Sequence, residues 1–178
     1  LAVTDSDALL VGRVVADDDR SAFELLVRRH QSPLRSFLRR LARNDVARAD
    51  DLAQETFIKA YRGLPTYKGT AKFSSWLYRI AYTTFLNDQR KRYATTELDE
   101  MEHGAGADDA EHASNEWDID RALQRLSIRQ RAVFELHYKK GMTHQEVASA
   151  LDLPLGTVKS DLTRGHERLK AYFEVGRQ

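Results

Sequence analysis

Trp76, Thr83, Asn87 and Arg90 are separated by seven, four and three residues. On a helix of about 3.6 residues per turn that spacing lines them up in one narrow stripe. An indole ring in line with a hydroxyl, a carboxamide and a guanidinium suits unpaired nucleic-acid bases, because rings stack on bases and polar groups read their exposed edges. Lys68, Lys72, Arg79, Lys91 and Arg92 join Arg90 as neighbouring cations for a phosphate backbone. Taken singly, Trp76 fits a hydrophobic core as well, and Arg90 fits an ordinary solvated charge.

A second polar set lies near the C-terminus, where Thr157, Ser160, Thr163, Arg164 and Glu167 occupy one side of a predicted helix, with Lys159 and Lys170 at one flank. Val158, Leu162, Gly165, Leu169 and Tyr172 fall on the opposite side. Before it come a capping-box pattern, Thr143 with Glu146, a short helix to Leu151, and the break Asp152-Leu153-Pro154-Leu155-Gly156. Capped helix, turn and basic second helix together form a helix-turn-helix layout, in which the second helix enters the major groove and the first braces it. Thr157 and Arg164 are placed to meet phosphates, and Lys159, Ser160 and Thr163 to approach bases. Asp161 is the contrary residue, since a carboxylate repels phosphate. It projects nearer the packed face, where it pairs locally or accepts from a cytosine amine.

Catalytic chemistry has little to work with. The six histidines show no tight metal-ligand spacing, and no glycine-rich phosphate loop or nucleophile motif occurs. With no cysteine, disulfides, thiolate catalysis and cysteine-ligated zinc are excluded. The expectation is a binding protein without catalytic residues, metal or cofactor. A ligand-sensing or phosphoryl-receiving N-terminal half would show strand patterns, and none are present.

The elements that position these groups are helical throughout. Ala8 to Ala16 reads as a short amphipathic helix. Ser21 with Glu24 suggests a capping box opening a helix that carries Phe23, Leu26, Val27, Leu34, Phe37, Leu38 and Leu41, with a kink or restart at Pro33. Asp50 and Asp51 are expected to cap a helix running to Gly63, which Pro65 stops. The next runs from near Ser74 to about Arg92. Beyond residue 116, Trp117, Leu123 and Leu126 mark a helix, Ser127 with Gln130 caps another that ends at Gly141, and the last helix runs to about Phe173.

Charge divides the 178 residues into three. Residues 1–92 hold 17 Lys and Arg against 11 Asp and Glu, 93–117 hold none against 8, and 118–178 hold 11 against 8. Residues 93–116, with Glu97-Leu98-Asp99-Glu100-Met101-Glu102 and Gly104-Ala105-Gly106-Ala107, bury no face at either regular period and read as a flexible acidic linker. The expected architecture is all-α, with small helical domains at 1–92 and 117–178. No stretch matches a membrane span or a secretory signal, so a cytoplasmic protein is expected.

The runs Asp50-Asp51-Leu52-Ala53-Gln54-Glu55-Thr56-Phe57-Ile58-Lys59-Ala60-Tyr61 and Phe73-Ser74-Ser75-Trp76-Leu77-Tyr78-Arg79-Ile80-Ala81 resemble the N-terminal domain of extracytoplasmic-function (ECF) sigma factors of the sigma-70 family. Leu153-Pro154-Leu155-Gly156-Thr157-Val158-Lys159-Ser160 resembles their C-terminal signature. The resemblance covers nearly the whole chain outside the linker. It implies a dissociable specificity subunit that binds core RNA polymerase, through the beta-prime coiled coil and the beta flap, and directs promoter-specific initiation. The first domain would recognise and melt the minus-ten element, and the second would bind the minus-thirty-five element.

Carried over by motif, Asp51, Gln54, Glu55, Ile58 and Arg62 would face the beta-prime coiled coil. The loop Thr66 to Lys72 would capture a base flipped from the non-template strand, and Trp76, Thr83 and Asn87 would read the minus-ten strand. Thr83 stands where relatives more often carry asparagine, and Asp161 where a basic residue is common. The resemblance also implies an anti-sigma protein as partner, and a linker threading the polymerase cleft.

Overall fold

The computed structural model describes residues 5–99 and 121–175, and these are helical with short connections. α1 spans Asp7–Asp17, α2 Arg20–Leu41, α3 Val46–Gly63 and α4 Phe73–Asp99. After a helical stretch at 121–124 come α5, Ile128–Phe134, α6, His144–Leu151, and α7, Leu155–Val175. Among the described residues there is no strand.

The first helices start where tertiary bonds select the cap. Asp19 caps α2 by accepting from the Ala22 N–H at 3.0 Å, and its other oxygen takes Arg13 of α1 at 2.7 and 3.0 Å. The Ser21–Glu24 capping box therefore does not form, and Glu24 pairs with Arg28 instead. Likewise α3 is capped by Asp45, accepting from the Arg48 N–H at 3.0 Å, while Asp50 and Asp51 lie inside the helix. Arg48 then reaches across to Asp88 at 2.6 and 2.8 Å and Gln89 at 2.8 Å on α4, tying the start of α3 to the last helix of this half. α2 runs through Pro33 as one helix.

α3 ends at Gly63, and Leu64–Thr66 forms a single 3₁₀ turn containing Pro65. α4 continues seven residues past Arg92 into the segment expected to be linker, because no glycine or proline occurs between Arg92 and Asp99. The remainder of the expected linker, residues 100–116, lies outside the described residues, as does Trp117.

In the C-terminal half both predicted capping boxes are present, Ser127 with Gln130 and Thr143 with Glu146. α5 passes into a π turn over Glu135–Lys139, and Gly141 ends it with φ of 65°. Asp152 takes the left-handed conformation after α6, so the turn of the helix-turn-helix is Asp152 to Pro154, and Leu155 and Gly156 already belong to α7. Val147 and Leu151 of α6 pack with Val158 and Leu162 of α7. Gly165 is where α7 crosses α5 most closely, since a Cβ there would lie 2.3 Å from the Phe134 ring.

The two halves share one continuous hydrophobic cluster. α4 packs on α6, and α2 on α5. Buried Arg131 of α5 sits at the junction. Its guanidinium donates to the Arg40 and Leu41 carbonyls at the end of α2, at 3.4 and 3.3 Å, and to the Leu123, Gln124 and Leu126 carbonyls at 3.2, 3.3 and 3.2 Å. Burial, reinforced by the charge of Arg43, pulls the guanidinium down to about 10, and it stays charged at neutral pH.

Two stability predictions follow from these contacts. Arg131→Met leaves helix-terminal carbonyls buried without a donor, and a loss of about 3 kcal/mol in urea unfolding is expected; an unchanged midpoint would refute the cap. Gly165→Ala drives a methyl into Phe134 and should cost about 1–3 kcal/mol, and Phe134→Leu in the same chain should recover part of it.

Candidate nucleic-acid and polymerase interface

A groove of about 710 Å³ runs between α2 and α3. Its apolar walls are Phe23, Val27, Ala53, Phe57, Ile58 and Tyr61, and its polar rim is Gln31, Arg35, Asp50, Asp51, Gln54 and Arg62. Asp51, Gln54, Ile58 and Arg62 thus come together as expected, with Ile58 exposed. Glu55 does not line the groove, and pairs with Lys59 one turn further along α3 at 2.7 Å. Phe57 and Tyr61 pack partly buried against the core and also form the groove wall, with Phe23 edge-on to Tyr61 at 4.9 Å. The α2 wall was absent from the sequence expectation. Its trace was the row Phe23, Val27, Gln31, Arg35, where an apolar i,i+4 series turns polar.

The loop from Thr66 to Lys72 is built around aromatic rings. Tyr67 lies 5.1 Å from Trp76 and 6.0 Å from Phe73, Phe73 is 5.7 Å from Trp76, and the Tyr67 hydroxyl donates to the Ala71 carbonyl. Burial raises the Tyr67 phenol above its ordinary value, with the charge of Asp7 adding to it, so it remains a donor. Gly69 turns the chain with φ of 69°. A pocket of about 180 Å³ opens here, lined by Lys68, Thr70, Ser75, Trp76, Arg79 and others of the loop. Trp76 is half-buried, with one edge over Gly63, so it serves as packing and pocket wall together.

Along α4, Thr83, Asn87 and Arg90 are exposed in line with Trp76, as the spacing predicts. Lys68 is exposed as well. Lys72 and Arg79 are engaged by the other half of the chain, Lys72 with Glu146 at 2.7 Å and Arg79 with Asp152 at 2.9 Å. The Lys72 bond, with the Thr143 N–H adding to it, holds the Glu146 carboxyl down at about 2.

On α7, Lys159, Thr163 and Arg164 are exposed, and Thr157 and Ser160 are half-buried. The Ser160 hydroxyl donates to the Thr157 carbonyl at 3.0 Å and the Thr163 hydroxyl to the Lys159 carbonyl at 3.1 Å. Asp161 is buried and holds Arg129 of α5 through its Nε at 2.6 Å and Nη2 at 3.2 Å. Its charge is therefore spent on an ion pair that braces α7 against α5, with a partner in another helix rather than a neighbour in sequence.

Among the described residues no group of three His, Cys, Asp or Glu side chains is placed to hold a metal ion. Among the described residues no helix is long and apolar enough to cross a membrane.

Comparison with known proteins places both halves. Residues 26–95 match the family model for sigma-70 region 2, and residues 116–169 match that for sigma-70 region 4. The chain is 31% identical to the ECF RNA polymerase sigma-E factor of Haemophilus influenzae, over 93% of this chain and 94% of that protein. It is 32% identical to the ECF RNA polymerase sigma-E factor of Escherichia coli K12, over 92% of each, and 31% identical to the RNA polymerase sigma-H factor of Pseudomonas aeruginosa, over 93% and 92%. Among solved structures it is similar to the sigma factor RpoE in complex with the anti-sigma factor NepR from Bartonella quintana, with a TM-score of 0.72, 25% identity, and coverage of 86% of this chain and 97% of that one. The fold of CnrH in complex with the cytosolic domain of CnrY is similar at a TM-score of 0.71, with 24% identity and coverage of 96% and 99%. With regions 2 and 4 in that order, the chain belongs to the ECF branch of the sigma-70 family, as a sigma factor that directs RNA polymerase to promoters.

Proposed function

We propose that the α2–α3 groove takes the beta-prime coiled coil of core RNA polymerase, that the loop 66–72 with α4 opens and reads the minus-ten element, and that α7 reads the minus-thirty-five element. The observation that carries the first assignment is the groove itself, an apolar channel with a charged rim, which is the surface an amphipathic helix occupies. Asp51, Gln54, Ile58 and Arg62 make its contacts, and Glu55 sits beyond the rim. The second assignment rests on the aromatic pocket beside an exposed row of polar groups. Extracting a base costs a few kcal/mol, and stacking on Trp76 and Tyr67 with charge from Lys68, Lys72, Arg79 and Arg90 supplies energy of that order.

In the third assignment Thr157 and Arg164 meet phosphates, and Lys159, Ser160 and Thr163 approach base edges. The beta flap would hold the C-terminal half in register. The protein acts in the cytoplasm, without a catalytic site of its own, and an anti-sigma protein binds it as NepR binds RpoE. The rival reading, a regulator with a sensing N-terminal half, calls for a pocket-forming sheet or a receiver strand pattern, and among the described residues there is no strand.

Binding and opening separate the assignments. Ile58→Asp should abolish retention on purified core polymerase in a pull-down while the far-UV circular dichroism stays unchanged, and normal retention would remove the groove assignment. Trp76→Ala should keep core retention and lose tenfold or more of the permanganate reactivity of promoter thymines. Equal reactivity would assign Trp76 to the core alone.

A further inference from the structure

Two cations that the reading above gives to DNA are held by carboxylates of the same chain. Glu146, on the first helix of the helix-turn-helix, takes Lys72 at 2.7 Å, and Asp152, at the end of that helix, takes Arg79 at 2.9 Å. Between them Ser149 forms part of the wall of the loop pocket beside Trp76. One short helix thus covers the cations and the pocket mouth together. The contacts lie on one continuous cleft of about 670 Å³ between α4 and α6.

We propose that the helix-turn-helix half acts as an intramolecular competitor for DNA, with the Glu146 and Asp152 carboxylates occupying the places of phosphates at Lys72 and Arg79. The proposal rests on the assignment of those cations to the minus-ten strand. Its chemistry is exchange of one oxyanion for another. All four side chains are partly exposed, so phosphate can replace carboxylate without a buried charge being stranded.

Geometry makes the exchange obligatory. Elements centred about 25 base pairs apart lie roughly 85 Å apart at 3.4 Å per pair. α6 packed on α4 cannot let the two halves reach both. The closed form is therefore a state that promoter engagement must displace, and apparent affinity for DNA falls by the fraction of chains that are closed. Since each pair is a surface ion pair, the two together are expected to shift the closed-to-open ratio two- to tenfold.

Both carboxylates can be neutralised without disturbing the local fold. Glu146→Gln preserves the capping box with Thr143, and Asp152→Asn preserves the left-handed C-cap. The chain has no cysteine, so Ala47→Cys and Ala171→Cys accept a donor and acceptor dye at exposed sites on α3 and α7. The full chain with Glu146→Gln and Asp152→Asn should show lower transfer efficiency than the parent. It should bind a randomised single-stranded DNA 12-mer two- to tenfold more tightly. Asp17→Asn with Glu24→Gln removes the same charge from exposed positions far from the cleft and sets the gain due to net charge alone.

If the Glu146 and Asp152 variant matches that control in transfer or in affinity, the competitor is overturned. Lys72→Ala with Arg79→Ala distinguishes the grounds of failure. Loss of oligomer binding in it, beside a silent carboxylate variant, overturns the competitor and leaves the DNA assignment standing. Full binding in an opened chain overturns both.

Discussion

Arg131 is the interaction on which the arrangement of the two halves depends. A helix leaves its last carbonyls without intrahelical partners, and in a protein interior these need a donor. Here α2 and the helical segment before Leu126 end against each other, one from each half, and a single guanidinium donates to five carbonyls across both ends. Among the described residues no carboxylate pairs with Arg131, and the partial negative charge of two helix termini stands in for one. Arginine alone among the side chains offers enough donors in a planar fork to do this. Tyr78 of α4, edge-on to Phe37 of α2, lies close enough to Glu135 to feel its charge, which extends the same junction to a third helix.

This junction explains why the π turn falls where it does. Glu135 and Lys140 flank it, 3.7 Å apart and both largely shielded from water. Burial raises the Glu135 carboxyl and lowers the Lys140 ammonium, each opposed by the other's charge. Lys140 also reaches Ser36 of α2 at 3.4 Å. Inserting one residue into the helix re-aims the side chains that follow it, which lets this stretch meet α2 and still return to Gly141.

Sequence patterns disclosed what is local and missed what is distant. Ser127 with Gln130 and Thr143 with Glu146 are caps three residues apart, and both form as read. The stripe on α4 and the two faces of α7 follow from helical periodicity and are present. The starts of α2 and α3 were misplaced because Asp19 and Asp45 compete with equally suitable residues nearby, and only Arg13 and the reach of Arg48 to Asp88 decide between them. Arg131 and the Arg129–Asp161 pair were unreadable for the same reason, their partners lying in other helices. The groove was half legible. Its α3 wall came from one helical face, whereas its α2 wall required knowing which helices are neighbours.

The bonds on α7 also constrain what its hydroxyls can read. Ser160 and Thr163 each give their single O–H to a carbonyl of their own helix. While those bonds hold, each hydroxyl has only acceptor capacity left. In the major groove that capacity suits the amino groups of adenine and cytosine and is repelled by the O6 and N7 of guanine. On the proposed reading, donation to guanine therefore falls to Lys159, an exposed cation of this face, while Arg164 meets phosphate. Asp161 cannot add to the acceptors, because its carboxylate is buried under Arg129. On the proposed reading the helix would thus carry two sorts of contact with opposite base preference, set by whether a side chain keeps its proton for DNA or spends it on the backbone.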